Sequence, residues 1–239
     1  ITANKYIPTD FVTLANGKLI LAGTSQDGYS GKAYVIDGIQ KKSTSVDMDF
    51  SIPSGAVYEA VIHDVGNQVL WFAGKSYPYG KELVRFDYSN PSQISTVLVK
   101  DINPGAGSGI EYYGNSIRDS VVLPNGKLVF SANDGINGEE AWVSDGTEMG
   151  TFMLKNYAPG AVGSVNNFTP YGNKAAFVAL ADQWASSSDF ANFGRELAFT
   201  DGTSSGTTML DINSGSASSN PIILGEANGL LYFTADARD

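Results

Sequence analysis

The sequence predicts an all-β fold, a β-propeller of four-stranded antiparallel blades, and three observations carry that expectation. First, a turn followed by an apolar strand occurs five times: NGKLILAG from Asn16, GNQVLWFAG from Gly66, NGKLVFSA from Asn125, GNKAAFVAL from Gly172 and NGLLYFTA from Asn228. The residues after the turns (Lys18, Gln68, Lys127, Lys174, Leu230) lie 50, 59, 47 and 56 apart. Second, an independent marker keeps step with it, ending at Asp37, Asp87, Asp145 and Asp201 with spacings of 50, 58 and 56. Third, no segment has sustained helical periodicity with caps, whereas short runs rich in Val, Leu, Phe and Thr are punctuated by Asn-Gly, Asp-Gly and Pro-Gly. A four-stranded unit repeated every ~40–55 residues is the pattern of a propeller blade.

The third repeat is the clearest. Its expected strands are residues 119–123, 127–132, 140–145 and 151–157, each bounded by turn dipeptides. The repeats run approximately over residues 10–58, 59–118, 119–166, 167–221 and 222–239, the last partial, within one domain spanning 1–239. The mean spacing of 53 gives about five blades over 239 residues, the final one short of two strands. Two readings follow: a ring whose last blade takes an N-terminal strand around residues 2–7, or a piece of a longer propeller cut inside a blade.

Composition removes several functional classes. Fifteen basic residues against 25 acidic ones give a net charge of −10, which opposes binding to nucleic acid phosphates and anionic membranes. Charged residues at 17% and aromatics at 11% are those of a folded chain rather than a disordered one. No apolar run approaches the ~18 residues of a spanning helix, and the start, ITANKY, has neither a basic nor an apolar leader segment. Zero cysteine removes disulfides, thiolate metal sites and thiol nucleophiles, and leaves the compartment open.

The segments ELAFTDGTSSGTTMLDINSG (from Glu196) and EAWVSDGTEMGTFMLKNYAPG (from Glu140) resemble the ELWxxDGTxxGTxLVKDINPG repeat of large exported bacterial proteins. STVLVKDINPGAGS (from Ser95) matches the end of that pattern and SANDGINGEE (from Ser131) its approach. In the second unit DYSNPSQIST replaces the DGTxxGT turn, and in the first the likeness is faint. The resemblance implies an extracellular or surface-attached bacterial protein. It implies no reaction.

Among residues that could carry chemistry, the recurring ones read as structural. Asp-Gly is a turn signal, and an Asp side chain accepts backbone N–H bonds within such turns. Glu82, Glu140 and Glu196 recur at one strand junction, where Lys81 and Arg195 are candidate partners. His63 is the only histidine, so it supplies no multi-histidine metal site, and it reads as structural or channel-lining. The turn with Asn133, Asp134, Asn137 and Glu139 offers oxygen ligands for Ca²⁺, although without the full D-x-D-x-D-G order.

Long connections break the regularity. Residues 103–118 hold Tyr112 and Tyr113, and residues 182–194 hold Trp184, Phe190 and Phe193. In an antiparallel meander these connections share one end, opposite the tight Asn-Gly and Asp-Gly turns, so the five aromatics are the candidate ligand-binding residues. Aromatic faces suit sugar rings, which makes polysaccharide the first ligand class, above peptide. The expected function is a non-catalytic binding or structural module in adhesion, matrix or surface assembly, within a larger chain or assembly. The alternative is a propeller glycosidase or lyase with paired carboxylates in its central funnel.

Overall fold

The computed structural model describes residues 6–13, 19–25, 31–37, 42–48, 69–75, 80–87, 95–110, 120–158, 164–181 and 193–237. They contain 17 strands and no helix. The chain divides into two compact units, Ile1–Gly107 and Ser108–Asp239.

In the first unit, β1 (Tyr6–Thr13), β2 (Leu19–Ser25), β3 (Gly31–Asp37) and β4 (Lys42–Met48) form an antiparallel sheet in chain order. Tyr6 and Ile7, from the N-terminal segment considered for closing the last blade, pair with Ser25 and Thr24 in this first sheet; the rest of that segment lies outside the described residues. Next come β5 (Val69–Lys75), β6 (Lys81–Asp87) and β7 (Ser95–Lys100), a second antiparallel sheet with three described strands. His63 lies outside the described residues.

The second unit repeats the same device. One four-stranded sheet runs β8 (Ser120–Val122), β9 (Leu128–Asn133), β10 (Glu139–Ser144) and β11 (Phe152–Met153). Another runs β12 (Val165–Tyr171), β13 (Lys174–Ala181), β14 (Gly194–Thr200) and β15 (Thr208–Leu210), followed by the hairpin β16 (Ile222–Ala227) and β17 (Leu230–Thr234). Strand β11 is much shorter than the expected 151–157. After one further bond, Leu154 N–H to the Ala141 carbonyl, the chain turns away toward the Glu140 side chain.

Within the second unit the first strands of the sheets lie beside one another: β12 touches β8 and β16. Alternation along the strands sets the packing. Val121, Val129, Ala141 and Val143 share one face of the β8–β11 sheet, because Val121 pairs with Val129 and Val129 with Val143. They meet Ala175, Phe177, Ala179 and Ala198 of the β12–β15 sheet in one buried cluster. Phe177 is the centre of it, stacked on Phe168 (4.9 Å) and edge-on to Tyr157 (6.2 Å). Small residues opposite large ones let two twisted sheets close face to face without a void.

Candidate functional site

Every turn-rich segment must first satisfy its own backbone, and the recurring acids do this work. Glu82, Glu140 and Glu196 are fully buried at the starts of β6, β10 and β14. Each points its carboxylate at the loop that follows the next strand, β7, β11 or β15. Glu82 accepts from Ile102 N–H (2.8 Å) and Asn103 N–H (3.3 Å), and Glu140 accepts from Ala158 N–H (2.9 Å). Glu196 accepts from Ile212 N–H (3.1 Å), Ser219 N–H (2.8 Å) and the Ser219 hydroxyl. A buried carboxylate survives only when such donors replace water. Arg195 donates to Ser164 Oγ (2.9 Å).

The three are not equally served. Glu140 Oε2 has no hydrogen-bond partner among the described residues. Burial pushes the Glu140 carboxyl up to about 8, against the opposing pull of the Ala158 and Tyr157 amides. The Tyr157 phenol is likewise raised, by burial first and by the nearby Glu140 second.

The DGTxxGT turns at the opposite end of the sheets are built twice with the same bonds. Asp145 Oδ1 accepts from Thr147 N–H (2.9 Å) and the Thr147 hydroxyl (2.7 Å), which in turn accepts from Gly150 N–H (2.9 Å). The Thr151 hydroxyl donates to the Thr147 carbonyl (2.7 Å) and lies 2.6 Å from Ser144 Oγ. Asp201, Thr203, Gly206, Thr207 and Thr200 repeat the arrangement bond for bond. Gly146 and Gly202 have φ of 94° and 84°, a region costly for any residue with a Cβ. The Thr hydroxyl bonds hold both aspartates below their ordinary pKa.

The candidate calcium turn directs its oxygens inward as well. Asp134 Oδ1 accepts from Ile136 N–H (2.9 Å) and Asn137 N–H (2.8 Å), and Oδ2 from Asn137 Nδ2 (2.7 Å). Asn133 Oδ1 takes Gly135 N–H (2.8 Å), and Asn137 Oδ1 takes Asn156 Nδ2 (2.8 Å). Glu139 pairs across the strands with Asn133. Burial raises the Asp134 carboxyl, but the Asn137 and Ile136 amides outweigh it and hold the group low. Among the described residues no three His, Cys, Asp or Glu side chains gather as a metal would need.

At the same end of the meander, the β13–β14 connection is the large departure from the repeat. Its base is closed, since Ala181 pairs with Gly194. Ser164, ahead of β12, accepts Leu180 N–H through its carbonyl (3.0 Å) and Arg195 Nη2 through its hydroxyl. On the other side Arg195 N–H donates to Ser218 Oγ (3.0 Å), and the Arg195 carbonyl accepts from Ser219 and Asn220 N–H (3.1 and 3.2 Å). Gly194 has φ 71°, and a Cβ there would lie 2.9 Å from Ser218 N. The insertion therefore springs from a clamp between the loops before and after its sheet. Phe193, half-buried, enters this base. Trp184, Phe190, Tyr112 and Tyr113 lie outside the described residues.

No family model and no curated protein matches this chain. Similar solved structures include an α-L-arabinanase of Penicillium chrysogenum complexed with arabinobiose, at 14% identity over 98% of this chain and 76% of that one, with a TM-score of 0.44. Another is the SapL1 lectin in complex with alpha methyl fucoside, at 14% identity over 97% of this chain and 72% of that one, with a TM-score of 0.42.

Sequence reasoning placed Glu82, Glu140 and Glu196 at the right junction but missed their partners. The amide donors lie 16–23 residues further along the chain, and only the repeat itself (Glu followed by DINPG or its variants) signals them. Ser164 and Ser218, which fix the insertion's base, carried no signal at all. No helix among the described residues is long and apolar enough to cross a membrane.

Proposed function

We propose that this chain is a carbohydrate-binding module on a β-propeller scaffold, belonging to an exported bacterial surface or matrix protein of the ELWxxDGTxxGT repeat type. The observation that carries the reading is the β13–β14 insertion, residues 182–193, held on a clamped base where the neighbouring sheet has only a short turn. It breaks the repeat at one place and brings Trp184, Phe190 and Phe193 with it. Tyr112 and Tyr113 belong to another long connection, β7–β8, at the same end of a meander. A fixed platform with an aromatic-bearing loop is the usual way a rigid scaffold presents recognition residues.

Two further features support the reading. Within the second unit the sheets meet through their first strands, β8, β12 and β16, an arrangement that suits blades around a propeller axis. The recurring carboxylates bind backbone amides or turn hydroxyls, so none of them needs a catalytic explanation. Binding to a panel of immobilised bacterial and plant polysaccharides tests the proposal. Retention of the wild-type chain on at least one, lost in Trp184→Ala, supports it; retention on none defeats it.

A further inference from the structure

Three carbonyls mark one place in successive repeats. The Gly109 carbonyl accepts Asn133 N–H (2.8 Å), the Ser164 carbonyl accepts Leu180 N–H (3.0 Å), and the Ser219 carbonyl accepts Asp236 N–H (2.7 Å). Asn133, Leu180 and Asp236 each lie three residues beyond the phenylalanine of a second strand, Phe130, Phe177 or Phe233. Gly109, Ser164 and Ser219 are therefore equivalent positions, and the two serines compare bond for bond.

Ser219 serves the buried glutamate of the sheet before it. Its N–H (2.8 Å) and its hydroxyl both donate to Glu196, and with Ile212 N–H (3.1 Å) they occupy both carboxylate oxygens. Ser164 is engaged elsewhere. Its hydroxyl accepts from Arg195 Nη2 (2.9 Å) at the base of the 182–193 insertion. Glu140, fully buried, keeps one oxygen, Oε2, without a hydrogen-bond partner among the described residues. So the hydroxyl that completes Glu196 in one repeat is held in the other by a guanidinium, and the carboxylate it would complete is short of one donor. A buried acceptor without a donor carries a desolvation cost that such a bond removes.

The groups that face Glu140 set when that bond is strongest. They are the Ala158 and Tyr157 amides and the Tyr157 phenol, after β11, and the Asp134 carboxylate of the β9–β10 turn. Burial and Asp134 oppose ionisation of Glu140, whereas the two amides favour it. An ionised carboxylate accepts a hydroxyl more strongly than a protonated one, so ionisation strengthens the claim on Ser164.

We propose that the Ser164 hydroxyl is a two-position contact joining the buried Glu140 carboxylate to the base of the insertion. On Arg195 it closes the base. On Glu140 Oε2 it frees the Arg195 side chain, while the Arg195 backbone keeps its bonds to Ser218, Ser219 and Asn220. The contact regulates the insertion and is independent of what the insertion binds.

The test uses the full chain and follows the Glu140 carboxyl by carbon-detected NMR titration in Arg195→Met. Loss of a nearby cation by itself raises a carboxyl pKa. Release of Ser164 to Glu140 lowers it, so the expected result is a fall of at least ~1 pH unit from wild type. Adding Ser164→Ala to Arg195→Met is expected to abolish the fall, and adding Ser164→Thr, which keeps a hydroxyl, to preserve it. Arg195→Gln gives the same readout should Arg195→Met not fold. A Glu140 value equal to or above wild type in the Arg195 variant overturns the proposal. So does a fall that persists when Ser164 is alanine.

Discussion

The carboxylate of Asp145 occupies the space that a Cβ on residue 150 would fill, and Asp201 stands in the same relation to Gly206. The final Gly of DGTxxGT is therefore a steric requirement of the first Asp, transmitted through the bridging threonine hydroxyl. Gly150→Ala and Gly206→Ala are each expected to cost ~1–3 kcal/mol in denaturant unfolding. Asp145→Ala with Gly150→Ala is expected to cost less than the sum of the two single changes, because the first removes the clash that the second creates. Additive costs would separate the two residues.

Acid stability depends on the same turns. Asp201 is held below its ordinary pKa, by the Thr203 hydroxyl first. A depressed carboxyl stabilises the fold above the unfolded value and loses that contribution as pH falls toward the folded one. Thr203→Val should therefore raise the Asp201 pKa in a carboxyl-detected NMR titration and move acid unfolding to higher pH. An unmoved Asp201 resonance in the variant would remove the hydroxyl from the account.

Glu140 acts in the opposite direction. Its folded pKa, about 8, lies above the ordinary 4.5, so the folded chain binds a proton that the unfolded chain releases. Stability from this group is greatest below pH 4.5 and declines as pH rises to about 8, at up to ~1.4 kcal/mol per pH unit. Glu140→Gln keeps an acceptor for Ala158 N–H and removes the titration. Denaturant midpoints between pH 5 and pH 9 should fall less steeply in the variant than in the wild type; parallel slopes would contradict the assignment.

The turn at Asp134 gives a prediction about calcium. Both of its carboxylate oxygens, and the amide oxygens of Asn133 and Asn137, already accept hydrogen bonds. Thermal unfolding in calcium and in chelator is expected to give the same midpoint, with Asp134→Ala lowering it equally in both. A midpoint that rises with calcium and loses that rise in Asp134→Ala would make the turn a cation site.

How much of this was legible in the sequence depends on the range of the interaction. The sheets follow from local alternation and turn dipeptides; β9 and β10 lie within a residue of expectation. The fourth strand of the third repeat, expected over 151–157, is shorter, because the chain after Leu154 turns to give the Ala158 amide to Glu140. The Asp-Gly-Thr turn could be read as a hydrogen-bonded turn, whereas the need for Gly150 is visible only in space. Arg195 was an expected partner of the buried glutamates, yet it donates to Ser164 Oγ, and backbone amides reach all three carboxylates. An amide donates from every residue and so leaves no mark on composition.

The most direct test of the account compares binding and stability in Trp184→Ala and Tyr113→Ala. A polysaccharide retained by the wild-type chain is titrated against each variant, and each variant's thermal midpoint is measured. The account predicts binding weakened at least ~10-fold, about 1.4 kcal/mol, with thermal midpoints within about 2 °C of wild type, as for substitutions outside the core. Strongly lowered midpoints with undiminished binding per folded molecule would contradict it, making these rings part of the core and placing recognition elsewhere.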